Sequence, residues 1–312
     1  MDVLEARRVA IYRQGWKNKL TRCGYTTIIG KTNVGKSTFL NKFLDKKVSI
    51  TADKSQTTRS NIYAIKTLEK TQIIFIDTPG IHKKSEKTIN KVLRKKPTEV
   101  IHDVDVIIFM VSGTKFDDID KETLDLVKKS DAKKILVINK IDLVKNKKNL
   151  FTFVDENFNT DDFFAIVPIS AKSNEGIDLV QMEIEKALPE NEFFYPEEIN
   201  FQSKDFEISE TIREKVIRLL GDELPYETAV VIEAFQEKED LIEISANIYV
   251  AKQSQKSIVI GKNGEKIKSI GITAREDLEK KFDKKIVLKL WCKVQKNWVN
   301  NPISLESFGI KS

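Results

Sequence analysis

Cysteine is scarce in this sequence of 312 residues: Cys23 and Cys292 are the only two, far apart and without metal-ligand spacing. That excludes a disulfide-stapled scaffold and a cysteine metal site, and free thiols in a reducing compartment are expected. An apolar run long enough to span a bilayer is also missing. Residues 1–22 carry six Lys/Arg against Asp2 and Glu5 but lack the apolar centre of a secretory signal; a basic, amphipathic extension is expected, with a targeting peptide the alternative that the early acidic residues disfavour. What the chain does have is 32% charged and 40% hydrophobic residues, the balance of a globular protein, and enough length for two separately cored domains. The net charge of +6 is modest and does not by itself identify a nucleic-acid partner.

One segment is chemically explicit. Gly30-Lys31-Thr32-Asn33-Val34-Gly35-Lys36-Ser37 matches G-x-x-x-x-G-K-[ST], follows the apolar run Tyr25–Ile29, and precedes Thr38–Leu44 with helical spacing. Strand, glycine loop and helix together let backbone N–H groups curl around a phosphate chain, aided by the positive end of the helix. Lys36 is placed to reach the β- and γ-phosphates, and the Ser37 hydroxyl to sit on Mg²⁺. Gly30, Asn33, Val34, Gly35, Lys36, Ser37 and Thr38 are therefore the candidate phosphate contacts.

Four further pieces follow in order. Asn61–Ile65 and Thr71–Ile76 read as strands, and the second ends in Asp77-Thr78-Pro79-Gly80. A carboxylate at that strand tip can hold a Mg²⁺-bound water, and the Gly80 N–H can meet a γ-phosphate. Leu136–Ile138 leads into Asn139-Lys140-Ile141-Asp142. The Asp142 carboxylate can accept the N1–H and N2–H₂ of guanine, a donor pair that adenine lacks. Lys140 is placed to lay its stem over the base, and Asn139 to tie this loop to the phosphate loop. Ile166–Ile169 ends in Ser170-Ala171-Lys172, where a backbone N–H can donate to guanine O6.

These motifs resemble the translation-factor-like class of small GTPases. The resemblance implies a threonine closing over Mg²⁺ from a mobile loop. Gln56-Thr57-Thr58-Arg59 lies where that loop should be, with Thr58 the choice and Thr57 the alternative. Ile81 follows Gly80, where Ras-like GTPases carry a water-orienting Gln, so no residue is assigned to activating the water. Help from a partner, a cation or another side chain is implied. Asn33 matches the Asn that helps hold K⁺ in potassium-activated GTPases with a similar loop; a plain loop-stabilising role stands beside that reading.

The C-terminal third is organised differently. Leu188-Pro189 and Tyr195–Glu198 read as a linker. An amphipathic helix over 208–220, strands over 228–235 and 241–250, a helix–loop–helix and a last strand over 286–294 follow. Between the two helices stands Ile260-Gly261-Lys262-Asn263-Gly264, then Lys266 and Lys268, which match the core of a KH domain. Its G-x-x-G loop clamps a single-stranded nucleic-acid backbone. Residues 204–250 hold 5 Lys/Arg and 12 Asp/Glu, whereas 251–296 hold 13 and 5, so the basic half surrounds this loop. Trp291 and Trp298 are candidates to stack on bases, with core packing the alternative for Trp291.

The ordered set of motifs plus the KH unit resembles the Era GTPases over roughly residues 24–300, and Gly221–Tyr226 and Lys296-Asn297-Trp298 are similar too. The N-terminal extension departs from the usual short Era start. The expected fold is an α/β P-loop GTPase domain, mostly parallel with helices on both faces, followed by an α+β type II KH domain. The expected boundaries are an extension over 1–22, the GTPase domain over 23–188, a linker over 189–203, the KH domain over 204–300 and a tail over 301–312. The resemblance implies a GTP/GDP- and Mg²⁺-dependent bacterial GTPase. It would bind the 3′ end of small-subunit ribosomal RNA, assist small ribosomal subunit maturation, and associate peripherally with the inner membrane. A cytoplasmic monomer is expected.

Overall fold

The computed structural model describes residues 21–45, 62–77, 97–196, 203–220, 227–308 and 310, with Ile62 and Asp77 described for their backbone alone. These fall into two compact units that divide between residues 196 and 203.

The first unit alternates strand and helix. Its elements are β1 (Arg22–Ile29), α1 (Lys36–Phe43), β2 (Ile62–Thr67), β3 (Thr71–Asp77), β4 (Val106–Ser112), α2 (Asp118–Lys128), β5 (Lys133–Asn139), α3 (Lys148–Asn157), β6 (Ala165–Pro168) and α4 (Ile177–Ala187). The strands form one sheet in the order β2-β3-β1-β4-β5-β6, parallel except for β2. β4 and β5 read as unbroken apolar runs because both faces of the sheet are covered. Phe109, Val111 and Leu136 pack with Leu124, Val127, Leu150 and Phe153 from α2 and α3. Their neighbours Ile108, Met110 and Val137 pack on the opposite side with Phe39, Phe43, Val180 and Ile184 from α1 and α4. Strand order reverses around β1, which pairs with both β3 and β4, so the loops after the parallel strands converge at one crevice.

The margins of this unit differ from the expected boundaries. Arg22 already belongs to β1, pairing with Thr71, and its guanidinium donates to the Leu188 carbonyl at 2.6 Å. The segment expected to open the linker is instead a strap on the domain. Cys23 N–H donates to Pro189 O at 3.2 Å, and both ends of the buried Gln72 amide bond the Tyr195 backbone, at 2.7 and 3.0 Å. Phe193, Phe194 and Tyr195 pack on the core beside these bonds. The prolines signal a break, but three consecutive aromatics gain more by burial than by solvation.

The second unit consists of α5 (Lys204–Leu219), β7 (Thr228–Glu237), β8 (Leu241–Val250), α6 (Gln253–Ile260), α7 (Glu265–Phe282), β9 (Lys285–Val294) and α8 (Pro302–Ser307). β7 and β8 are antiparallel with a bulge at Glu233, and β9 returns parallel to β8 after the α6–α7 crossover. Alternate residues of β8, from Ile242 to Val250, face Ile212 and Val216 of α5 and Ile270, Ala274 and Leu278 of α7. The expected tail over 301–312 is folded through residue 308. Asn301 caps α8, Leu305 is buried, and the Phe308 ring packs between Trp298 at 5.1 Å and Tyr249 at 4.9 Å. Trp298 is fully buried and its indole N–H donates to Glu227 O, so it is a core residue rather than a base-stacking one. Trp291, by contrast, is 48% exposed on β9.

Candidate nucleotide site and nucleic-acid interface

The phosphate-loop motif lies between the end of β1 and the start of α1, as its spacing requires. Two of its glycines are forced by close packing. A Cβ on Gly30 would stand 2.4 Å from the Met110 carbonyl, and one on Gly35 would stand 2.2 Å from the Asn139 side-chain nitrogen. Gly35 also has φ +105°, a conformation L side chains rarely adopt. Asn33 has φ +63°, a left-handed backbone that Asn tolerates better than most residues, which gives it a conformational role at this position. Lys36 opens α1 and is buried, its ammonium donating to the carbonyls of Gly30 at 2.9 Å and Lys31 at 2.8 Å. Val34 is buried, while Ser37 and Thr38 are half-buried in the first turn of α1.

Asn139, at the tip of β5 and 2% exposed, joins three loops through one amide. Its nitrogen donates to Val34 O at 2.8 Å. Its oxygen accepts the N–H groups of Lys140 at 2.8 Å and Ala171 at 2.9 Å. Lys140 has φ +64° and reaches across to donate to Asn33 O at 2.6 Å. The buried Ser170 hydroxyl donates to Asp142 Oδ1 at 2.7 Å, which orients the carboxylate and leaves its second oxygen. The Ser170 N–H is taken by Glu175 O at 3.0 Å, and Lys172 is exposed beside it. Asp77 ends β3 in register with Ile28, two residues before Gly30. Thr57, Thr58, Gly80 and Ile81 lie outside the described residues. Among the described residues no cluster of His, Cys, Asp and Glu could hold a metal by itself.

In the second unit, Gly261 and Gly264 bracket the turn between α6 and α7 with φ +73° and +77°. A Cβ on Gly261 would meet the Lys266 stem at 2.8 Å, whereas one on Gly264 would meet nothing within 4 Å. Lys262, Asn263, Lys266 and Lys268 are on the surface around the turn, Ile260 is half-buried, and Asn263 adopts φ +51°. The turn therefore presents bare backbone and lysines together, the combination that can meet a phosphodiester backbone.

Residues 25–140 match the family model described as 50S ribosome-binding GTPase, and 223–299 match that of the KH domain. The chain is 42% identical to GTPase Era of Coxiella burnetii over 294 residues, which is 94% of this chain and 99% of the relative. The chain belongs to the Era family of GTPases. Era of Haemophilus ducreyi is 43% identical over 291 residues, covering 93% of this chain and 96% of the relative. The fold of this Era-family chain is similar to a variant of Aquifex aeolicus Era bound to GDP·AlF₄⁻, with TM-score 0.90, 34% identity and 94% of this chain and 100% of that one covered. The same figures hold for an Era complex with MgGDPNP and nucleotides 1506–1542 of 16S ribosomal RNA.

Three residues that the motifs of this Era-family chain do not single out meet beside its site. Lys31 Nζ donates to Asp117 Oδ2 at 2.9 Å and to Asp120 Oδ2 at 2.5 Å. Burial lowers the Lys31 pKa, but the hydrogen bonds to Asp120 and Asp117 outweigh it, so the net shift is upward and the ammonium persists. The hydrogen bond from Lys31 holds the Asp117 carboxyl below the usual range, whereas burial raises that of Asp120. Sequence offers one clue: Asp117-Asp118-Ile119-Asp120 is a helix-start pattern, with Asp117 and Asp120 forming a capping box. What it caps toward is not local.

Proposed function

We propose that this GTPase controls an RNA-binding unit that engages the 3′ region of small-subunit (16S) ribosomal RNA and assists small ribosomal subunit maturation. The observation that carries the nucleotide half is the Asn139 amide, which draws the phosphate loop and both base-side loops into one site. In this reading Gly30, Asn33, Val34, Gly35, Lys36, Ser37, Thr38 and Gly80 receive the phosphates. Asn139, Lys140, Asp142, Ser170, Ala171 and Lys172 receive guanine. The fit for a Mg²⁺-nucleotide is supported by a loop whose two glycines pack directly against the Met110 carbonyl and the Asn139 amide, and by Ser37 in the first helical turn. Ser37, Thr58 and Asp77 would hold Mg²⁺, Asp77 through water, and the ion would neutralise charge across the phosphates. Asn33 would add K⁺.

The RNA half rests on the exposed glycine–lysine turn and on the relative solved with a 16S fragment. Ile260, Gly261, Lys262, Asn263, Gly264, Lys266 and Lys268 are its contact set. The inner-membrane contact implied by the resemblance has one bearing observation: among the described residues no helix is long and apolar enough to cross a membrane. Titration of the full chain with a fragment from the 3′ end of 16S ribosomal RNA and with a shuffled fragment, at two salt concentrations, tests the proposal. Selective binding to the native fragment that persists at the higher salt is expected. Equal, salt-sensitive binding to both would overturn it.

A further inference from the structure

Asp120 is fully excluded from solvent, and its Oδ1 has no hydrogen-bond partner among the described residues. A carboxylate so placed is costly unless something specific compensates it. The compensation comes from outside its helix. Its other oxygen takes the ammonium of Lys31, which is the second residue of the phosphate-loop motif, 89 residues earlier in the chain. Asp117, the N-cap of α2, takes the same ammonium, and its own N–H donates back to Asp120 Oδ2 at 3.1 Å. Lys31 is thus fixed from both ends. Its side chain is held by the start of α2, and its carbonyl accepts the ammonium of Lys36 at 2.8 Å.

A loop that binds phosphates through backbone N–H groups depends on the direction of those groups, and loops are the least constrained part of a fold. Lys31 carries no charge to spare for a phosphate, since two carboxylates share its ammonium. We propose that Asp120, with Asp117, acts as a positioning residue: through Lys31 it anchors the phosphate loop to the start of α2, so that the loop is already formed for a nucleotide triphosphate. This rests on the reading of Gly30–Ser37 as the phosphate cradle. A simple stabilising ion pair makes a different prediction, because it would lower stability without selectively affecting nucleotide affinity.

The test uses the full chain with Asp120→Asn, Lys31→Met, Lys31→Arg and the double variant Lys31→Met/Asp120→Asn. Fluorescent GDP affinity, kcat and KM for GTP, and thermal unfolding without nucleotide are measured for each. Asp120→Asn and Lys31→Met should each weaken GDP binding and raise KM about tenfold, with kcat at saturation within about threefold of the parent. The double variant should be no worse than either single one, because both cut the same link. Lys31→Arg should restore affinity, since it keeps the cation and offers two donors to the carboxylates. Lys31→Met changes a partly exposed loop residue, so it decides the matter even if Asp120→Asn does not fold. Parent-like affinity in Lys31→Met, or lowered stability with unchanged KM, would overturn the inference. Lys36→Ala serves as the control for the cradle itself. Parent-like nucleotide binding by that variant would remove the underlying reading, whereas its loss together with parent-like Lys31→Met removes only the anchor.

Discussion

Gly35 and Asn139 are packed so closely that a methyl group on Gly35 would lie 2.2 Å from the Asn139 side-chain nitrogen. That nitrogen bonds Val34 O, so the phosphate loop and the base loop meet at a contact which only glycine permits. Gly35→Ala should push Asn139 away and strain a backbone at φ +105°. GTP and GDP affinity should fall on the order of a hundredfold. A nucleotide titration showing parent-like affinity would mean that the two loops do not form one site.

Base choice should reside in Asp142. Ser170 fixes one of its oxygens at 2.7 Å, so the carboxylate is oriented before any base arrives. Asp142→Asn should cost GTP affinity about 2–3 kcal/mol and shift preference toward xanthosine triphosphate, whose edge complements an amide. Competition between the two nucleotides reads this directly; unchanged selectivity would remove Asp142 from the base site.

Two proposed roles can be separated at Asn33. Its φ of +63° is a backbone demand, and its side-chain oxygen is the proposed K⁺ ligand. Replacing K⁺ by Na⁺ should slow GTP hydrolysis by the parent chain. Asn33→Ala and Asn33→Gly should both lose that difference, but only the alanine variant should also lose nucleotide affinity, because glycine accepts the backbone shape. Equal parent rates in the two salts would discard the cation.

Gly264 offers a test of the second unit alone. Its surroundings are open and its φ of +77° is one that Asp adopts more readily than most residues, so Gly264→Asp should fold. The added carboxylate would stand where an RNA phosphate must approach. Binding to the 16S 3′ fragment should fall severely, leaving weak, salt-sensitive attachment through the lysines, while GTP affinity holds. Filter binding paired with a nucleotide titration checks both halves, and parent-like RNA binding would place the contact elsewhere.

Burial raises the Cys23 thiol to about 12 and the Cys292 thiol to about 11. Both should resist thiol reagents at neutral pH in the native chain and react once it is unfolded, because the thiolate is the reactive form. The linkage has a definite sign. A raised folded-state pKa means the unfolded chain loses these protons first, so their contribution to stability holds below pH 9 and is lost as pH rises from 9 toward 12. Denaturant midpoints across that range, compared with a Cys23→Ala variant, should show a smaller decline in the variant.

Local chemistry makes most of the nucleotide site legible. Gly30–Ser37 and Asn139–Asp142 carry their meaning in residue types a few positions apart, and each falls at the carboxyl end of its strand. β4, from Val106 to Ser112, is harder to single out, because burial on both faces erases the alternation that marks a half-buried strand. The Lys31–Asp120 anchor is not legible at all, since neither residue signals a partner so distant in sequence. Proline at 189 and 196 suggests a free linker, yet the Gln72 amide and the aromatic side chains between those prolines bind that segment to the domain. Trp298 resembles an RNA-stacking aromatic only because its neighbour Phe308 lies beyond the expected domain end.

The cluster of Tyr249, Phe308 and Trp298 sets a rule for engineering this chain. Cutting the chain at Asn301 to trim an apparent tail would strip α8 and Phe308 from a fully buried indole. Such a truncation would turn the KH unit into an aggregation-prone fragment and make loss of RNA binding look like a failure of recognition. Shortened versions should therefore keep the chain through Ile310, whose side chain is also buried. Trp298 emission, read in a variant with Trp16→Phe and Trp291→Phe, then becomes an internal gauge of whether the recognition unit is intact before any affinity is compared.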